Sequence, residues 1–284
     1  MHRVVRSNKY LINRNVDYEK AVEFNKLNEN FKSEYSRASF FDRVILRKNL
    51  LFIMNPRENI VGYFWLNNHK DSNTKIKSLF LDSVDKKTMF VLSDYLDNFK
   101  EIEYISSINA KCNNLLSELG FERDQSIIDM QIELKQYPEQ KYENYIIRPF
   151  RRRKDEWNRV EVQNSIFYKK NRTPLTVSDI ELDMMQEYYL NNGSYFLTNH
   201  GKVIGYGQLI LMKGELYLVN FGILHSYRNK GLGKYFLKYL LNKGHAWGYE
   251  KMKIKVLNDN DIALKLYSGI GFKKTSDTIY WKRK

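Results

Sequence analysis

The run Leu216-Tyr-Leu-Val-Asn-Phe-Gly-Ile-Leu224, the hexapeptide Arg228-Asn229-Lys230-Gly231-Leu232-Gly233 and the run Lys234 to Leu241 follow one another closely. They read as strand, loop and helix. The first N–H groups of a helix lack intrahelical partners, and the helix dipole favours negative charge there. Successive loop N–H groups can close around a diphosphate, and glycine lets the backbone approach without a Cβ in the way. The stretch therefore predicts an anion cradle for a phosphate-bearing ligand. Its spacing is Arg-x-x-Gly-x-Gly. That speaks against a P-loop, which needs Gly-x-x-x-x-Gly-Lys-Ser/Thr, and against a dinucleotide fold, which needs Gly-x-Gly-x-x-Gly. Taken alone, the hexapeptide also suits an ordinary basic helix start.

A second segment sharpens the reading. Asn260-x-x-Ala263-x-x-Leu266-Tyr267-x-x-x-Gly271-Phe272 follows a strand-like run, Lys251 to Leu257. Ala263, Leu266, Tyr267 and Ile270 share one helical face, and Gly271 reads as the residue that ends the helix. The two segments, in this order and at this distance, resemble the GNAT superfamily of acyl-CoA-dependent N-acyltransferases. The resemblance covers roughly residues 145–284.

The resemblance implies a set of roles. Arg228, Asn229, Lys230, Gly231, Leu232, Gly233 and Lys234 correspond to the loop that holds the pyrophosphate of acetyl-CoA, largely through backbone amides. Ile223 corresponds to the strand residue that pairs with the pantetheine arm. Asn260 corresponds to an asparagine that contacts the donor beyond the pyrophosphate, with Asn258 as a nearby competitor. Tyr267 corresponds to the general acid for the departing thiolate. An amine attacks the thioester carbonyl, and a backbone N–H near Ile223 or Leu224 could stabilise the oxyanion. The base is open. Glu215 and Tyr217 share strand parity with Ile223 and could reach the cleft. His225 has a suitable intrinsic pKa, although a loop histidine without a role is the plainer reading, and a water chain would also serve.

The first half carries an echo of the second. Aligning Gly120-Phe121 with Gly271-Phe272 brings Asn109 opposite Asn260, Cys112 opposite Ala263 and Leu115 opposite Leu266. Upstream, Asn59-Ile-Val-Gly-Tyr-Phe64 echoes Lys202-Val-Ile-Gly-Tyr-Gly207. Such a repeat is too long for a solenoid and suggests two GNAT-like domains in tandem, over residues 1–137 and 145–284. The first copy reads as degenerate. Residues 63–119 contain no glycine, so no such cradle can form, and Leu116 stands at the tyrosine position.

Composition agrees with two packed domains. The chain has 284 residues, 43% of them hydrophobic, with only four prolines, which argues against long disordered tracts. The polar stretch Lys135 to Asn144 reads as the linker. Ser178-Asp-Ile-Glu181 reads as a capping box opening a helix to Leu190, and Tyr195 to Ile210 as a hairpin turning at His200-Gly201. The expected fold is α/β, a mixed and mostly antiparallel sheet flanked by helices. Acceptor specificity is expected between Trp157 and Leu190, where Trp157, Phe167, Tyr168, Tyr188 and Tyr189 could line a pocket or simply pack.

A single cysteine, Cys112, excludes an intrachain disulfide and suits a reducing compartment. Histidine and cysteine show no metal-ligand spacing. The start Met1 to Arg6 lacks a signal-peptide core, no run approaches a membrane span, and a cytoplasmic protein is expected. The net charge of +14 favours a polyanionic ligand such as CoA. Nucleic acid is a weaker partner, resting on the basic clusters Arg151 to Lys154 and Lys282 to Lys284. The expected function is an acetyl-CoA-dependent N-acetyltransferase acting on a primary amine of a small molecule or peptide. The alternatives are a non-catalytic CoA-binding regulator and a basic nucleic-acid-associated protein.

Overall fold

The computed structural model describes residues 6–7, 10–13, 50–54, 60–67, 74–81, 86–108, 112–140, 142–168 and 172–284. Asn59, Asn109 and the first five residues, which carry part of the reading above, lie outside the described residues. In chain order the elements begin with β1 (Arg6–Ser7), β2 (Tyr10–Asn13), β3 (Leu50–Met54), β4 (Ile60–Asn67), β5 (Thr74–Leu81), α1 (Lys86–Leu96), β6 (Ile102–Ser107), α2 (Asn113–Glu118) and β7 (Glu122–Glu133). There follow β8 (Tyr145–Pro149), α3 (Glu156–Ile166), α4 (Val177–Met184), β9 (Tyr189–Asn199), β10 (Lys202–Met212) and β11 (Glu215–Ile223). The last elements are a short 3-10 turn (His225–Tyr227), α5 (Leu232–Ala246), β12 (Lys251–Leu257), α6 (Asp261–Ile270) and β13 (Lys273–Arg283). The sheets are mixed and mostly antiparallel, with helices packed on them, as the sequence predicts. No helix among the described residues is long and apolar enough to cross a membrane.

The chain forms two compact units. One comprises residues 1–126 and 277–284, the other residues 127–276. In the first, the strand order is β1-β2-β3-β4-β5-β6-β13. All neighbours are antiparallel except β5 and β6, which run parallel from Thr74↔Ile102 to Ile76↔Tyr104. A parallel pair needs a crossover, and α1 supplies it. Leu92, Leu96, Leu116 and Leu119 from the helices bury against Leu51, Phe64, Ile102, Ile279 and Trp281 from the strands. The last eight residues therefore complete this core. Arg283 Nε donates to the Leu119 carbonyl at 2.8 Å, tying that strand to the end of α2.

In the second unit the order is β7-β12-β11-β10-β9-β8. One face carries α5 and α6, where Phe236, Leu237, Leu240 and Leu241 bury against Leu216, Leu218, Met252 and Ile254. The other face carries α3 and α4 over Phe196 and Tyr206. Strands β9 and β10 are covered on both faces, so residues 193–198 and 204–210 are buried without alternation. In β12 only one face is buried, and Met252, Ile254 and Val256 alternate with Lys251, Lys253 and Lys255. The β9–β10 hairpin turns at His200 (φ 44°) and Gly201 (φ 79°), two left-handed residues that match the twist of the flanking strands.

Two local expectations are corrected. The capping box is Thr176/Asp179, not Ser178/Glu181, and the helix ends at Met184, not Leu190. The Thr176 N–H donates to Asp179 Oδ2 at 2.8 Å, and the Asp179 N–H donates to Thr176 Oγ1 at 3.3 Å. The closing acid is aspartate rather than the glutamate or glutamine of the usual pattern. The stretch Lys135 to Asn144 lies within the second unit. There the Tyr137 N–H donates to Asn242 Oδ1 at 2.8 Å, and Asn242 Nδ2 donates to the Tyr137 carbonyl at 3.0 Å. An asparagine on α5 thus grips both polar backbone groups of one residue.

Helices α2 and α6 end alike. The Phe121 N–H donates to the Leu116 carbonyl and the Phe272 N–H to the Tyr267 carbonyl, while the Gly120 and Gly271 N–H groups donate to Ser117 and Ser268. These are Schellman ends, and they need the left-handed φ of Gly120 (79°) and Gly271 (115°).

Trp281 is 1% exposed, and its Nε1–H donates to Ser106 Oγ at 2.8 Å. Trp281→Ala should cost the first unit about 3–5 kcal/mol, read as a lowered urea midpoint of the full chain. A cost under about 1 kcal/mol would mean that the last strand does not close that core.

Candidate functional site

The site begins with two strands that part. β11 and β12 run parallel, and their one register pair is Tyr217↔Lys253. Beyond it β11 carries an extra residue: its β10 partners step from Val219↔Gln208 to Gly222↔Tyr206, and Asn220 adopts φ 52°. A bulge of this kind bends its strand, which opens a gap between β11 and β12. The Leu224 N–H donates to the Ile204 carbonyl at 2.8 Å. In an antiparallel ladder the neighbouring residue then turns its N–H and C=O the other way. Ile223 accordingly faces the gap. Its carbonyl accepts from Arg228 Nε at 3.1 Å. Of the two N–H groups expected to meet an oxyanion, Leu224's is committed to β10 and Ile223's faces the gap.

The loop after the gap forms the expected cradle. Asn229 (φ 59°) and Gly231 (φ 76°) are left-handed, and Gly231 caps α5 with no side-chain hydrogen bond. The Tyr235 N–H is the first to bond back, to the Gly231 carbonyl at 3.1 Å. The N–H groups of Leu232, Gly233 and Lys234 precede it and lack intrahelical acceptors. A Cβ on Gly231 would sit 2.9 Å from Tyr142 Oη and would have to displace it, and the left-handed φ disfavours a side chain there as well. The donor set fits a diphosphate: consecutive N–H groups at a positive helix end, with Asn229, Lys230 and Lys234 exposed around them. A Cβ on Gly233 would touch Leu266 at 3.4 Å, which places the start of α5 against α6.

Tyr267 lies on α6, 7% exposed, its ring centroid 6.4 Å from that of Phe221 and 5.6 Å from that of Phe272. Burial pushes its phenol well above the usual range, so it remains a proton donor. Asn260 caps α6, its Oδ1 accepting from the Ala263 N–H at 3.2 Å. That oxygen is therefore committed to the helix, and the amide nitrogen is what Asn260 presents outward. His225 is exposed at the start of the 3-10 turn.

Glu215 is elsewhere. The even spacing that would align it with Ile223 does not survive the bulge, because one extra residue reverses the alternation. Leu216, Leu218 and Ile223 all join the core under α5 and α6, which leaves Glu215 and Tyr217 on the opposite side. Glu215 is exposed and accepts from Lys253 Nζ, and that bond lowers its pKa.

Behind the bulge, under α3 and α4, lies a polar cluster that the sequence reading missed. Arg159 is 2% exposed. Its Nε donates to Gln163 Oε1 at 2.8 Å, and its Nη2 to Asp183 Oδ2 at 2.6 Å and Gln208 Oε1 at 3.1 Å. Asn220 Nδ2 donates to the same Gln208 oxygen at 3.1 Å, and Tyr188 Oη donates to Asp183 Oδ1 at 2.8 Å. Burial, and then the bond to Asp183, push the Tyr188 phenol up to about 12. The one available signal was a glutamine and an asparagine inside otherwise apolar strands. Of the aromatics expected near an acceptor pocket, Trp157 and Tyr168 are exposed, while Phe167, Tyr188 and Tyr189 are half-buried.

Comparison with known proteins agrees with this geometry. Residues 157–272 match the acetyltransferase (GNAT) family model. N-acetyltransferase family 8 members 3 and 7 of Mus musculus are 31% identical over 71 residues, which is 25% of this chain and 31% of theirs. The match thus spans about a third of the length of these curated relatives. Among solved structures, a GCN5-related N-acetyltransferase from Sphaerobacter thermophilus aligns with a TM-score of 0.61 at 14% identity, over 96% of this chain and 95% of that one. A tandem GNAT protein from the clavulanic acid biosynthesis pathway aligns with a TM-score of 0.51 at 10% identity, over 96% and 97%. At such identities the likeness is one of fold. Residues 157–272 thus resemble the acetyltransferase (GNAT) family, and the solved structures share the fold.

Asp183→Ala should leave the Arg159 charge buried without its counter-ion. The expected cost is about 3–5 kcal/mol, measured by chemical denaturation. A cost within about 0.5 kcal/mol would show that the pair is not sealed from water.

Proposed function

We propose that the chain is an acetyl-CoA-dependent N-acetyltransferase that acts on a primary amine of a small molecule or peptide. The observation that carries this reading is the gap between β11 and β12, which lies directly before the N–H-bearing start of α5. A long donor can lay its acyl arm along the unpaired edge of β11 and its diphosphate on the cradle. Leu232, Gly233 and Lys234 would hold the diphosphate through their N–H groups. Arg228, Asn229, Lys230 and Gly231 shape the loop, and the exposed Asn260 amide would reach the donor beyond it.

Direct transfer follows from these positions. The acceptor amine attacks the thioester carbon, the C–N bond forms and the C–S bond breaks. The Ile223 N–H would meet the carbonyl oxygen as charge develops there. Tyr267 would donate its phenolic proton toward the departing thiolate. Its raised pKa makes complete transfer uphill, so its part is a strong hydrogen bond that tracks the charge. The amine's proton leaves to solvent, to His225 or through ordered water. Glu215, held by Lys253 on the far side of β11, is the weaker base.

The same reading covers the first half. We take residues 1–137 as a degenerate copy and residues 145–284 as the active one. Two features support a repeat: the parallel pairs β5/β6 and β11/β12, each joined by a helix, and the equivalent Schellman ends at Gly120 and Gly271. In the first copy Leu116 replaces the tyrosine and is fully buried. We place the protein in the cytoplasm.

Calorimetry with acetyl-CoA tests the donor site. Wild type should bind, and Gly231→Asp/Gly233→Asp should weaken binding at least about tenfold, because a carboxylate would point at the diphosphate. A folded wild type that binds neither acetyl-CoA nor CoA would refute the reading. Gel shifts on nucleic acid at low salt would then come next. With an acceptor found in an amine panel, Tyr267→Phe should lower kcat about a hundredfold and leave donor affinity within about twofold. Because the phenol is raised, no alkaline fall in rate from this group should appear near pH 10, where an ordinary tyrosine ionises. Donor binding without turnover of any amine, in wild type and variant alike, would favour a CoA-binding regulator.

A further inference from the structure

The cluster behind the bulge is costly for a structure built for stability alone. Arg159 lies in a layer with Val160, Val162, Ile180, Phe196 and Tyr206, all at most 7% exposed. Replacing a buried ion pair with apolar groups is often neutral or stabilising. The ion pair with Asp183 is also incomplete, since Arg159 Nη1 is buried and finds no acceptor among the described residues. What the cluster achieves is convergence on one side chain. Gln208 is fully buried, and its Oε1 accepts from Arg159 Nη2, from Tyr206 Oη at 3.2 Å and from Asn220 Nδ2. Its Nε2 donates to Asp183 Oδ2 at 3.1 Å. An amide held at both ends cannot flip or slide.

The outer end of this chain is Asn220, the residue whose left-handed φ makes the bulge. Asparagine adopts that conformation more readily than other side-chain-bearing residues, and the bond to Gln208 holds its side chain in place there. The bulge in turn sets which backbone groups of β11 face the gap. We propose that Arg159, Gln208 and Asn220 are positioning residues: their hydrogen-bond chain fixes the bulge and so aims the Ile223 N–H at the acyl carbonyl oxygen of the donor. The inference rests on the acetyl-CoA reading given above. It assigns to the α3/α4 side of the sheet a function exerted on its gap, through residues that touch neither donor nor acceptor.

The test reads the carbonyl itself. Acetyl-CoA labelled with ¹³C at the carbonyl is bound to the full chain, and its isotope-edited infrared band is recorded. A hydrogen bond from Ile223 lowers the band frequency relative to acetyl-CoA in water. Calorimetry with CoA, which lacks the acyl group, reports donor-site integrity separately. Asn220→Gly accepts the same φ without strain and removes the tie to Gln208. Gln208→Leu removes the hub. Both should bind CoA within about twofold of wild type yet lose most of the frequency shift and most of the preference for acetyl-CoA over CoA. Ile180→Val, which loosens the same layer without touching the chain, should keep both. Should Gln208→Leu fail to fold, Asn220→Gly decides alone. The proposal is overturned if Asn220→Gly keeps the full shift, if Ile180→Val loses it equally, or if wild type binds acetyl-CoA with no shift at all. That last result leaves the donor site standing. A wild type that binds neither acetyl-CoA nor CoA instead removes the acetyl-CoA reading, and this proposal with it.

Discussion

The second unit depends on a single misfit in its sheet. β11 holds β12 at Tyr217↔Lys253 and then leaves it, because an extra residue at Asn220 bends the strand. A sheet interior normally satisfies every backbone N–H and C=O. Here the gap-facing edge of β11 past the bulge has no strand partner among the described residues. The Ile223 carbonyl takes Arg228 Nε instead, and the Ile223 N–H remains turned toward the gap. Such an edge can receive an extended ligand arm as though it were another strand.

The surroundings protect this opening from collapse. On one face, Phe221, Phe236, Tyr267 and Phe272 pack ring on ring beneath α5 and α6. On the other, Arg159, Asp183 and Gln208 tie α3 and α4 to β10 and reach Asn220. Apolar packing resists closure without specifying direction, whereas hydrogen bonds specify direction. A site that needs one N–H aimed at one oxygen has use for both.

The first unit shows the same succession of strand, helix, strand and helix. It has a parallel pair joined by α1, and α2 ends in the same Schellman geometry as α6. Leu116, whose carbonyl accepts the Phe121 N–H as that of Tyr267 accepts the Phe272 N–H, has a core side chain. That succession depends on apolar periodicity and one left-handed glycine. The cradle depends on glycines at a helix start, and residues 63–119 have none.

Local physics was legible in the sequence. Strands β11 and β12, helices α5 and α6, the helix end at Gly271 and the turn at His200-Gly201 all rest on periodicity or on one residue's allowed dihedrals. Those properties belong to a few adjacent residues. What the tertiary structure decided lies where distant residues meet. The parity that would align Glu215 and Tyr217 with Ile223 fails past Val219, because a bulge at a non-glycine position has no strong local signature. Glu215 therefore left the site that its spacing promised it. Arg159, Asp183 and Gln208 came together from three elements, with Arg159 and Gln208 49 residues apart. Their partnership depends on which faces the sheet covers. Nor could the sequence show that the final strand completes the core of the first unit. Its alternating apolar residues suit any sheet edge, and only the assembled fold determines which edge is available.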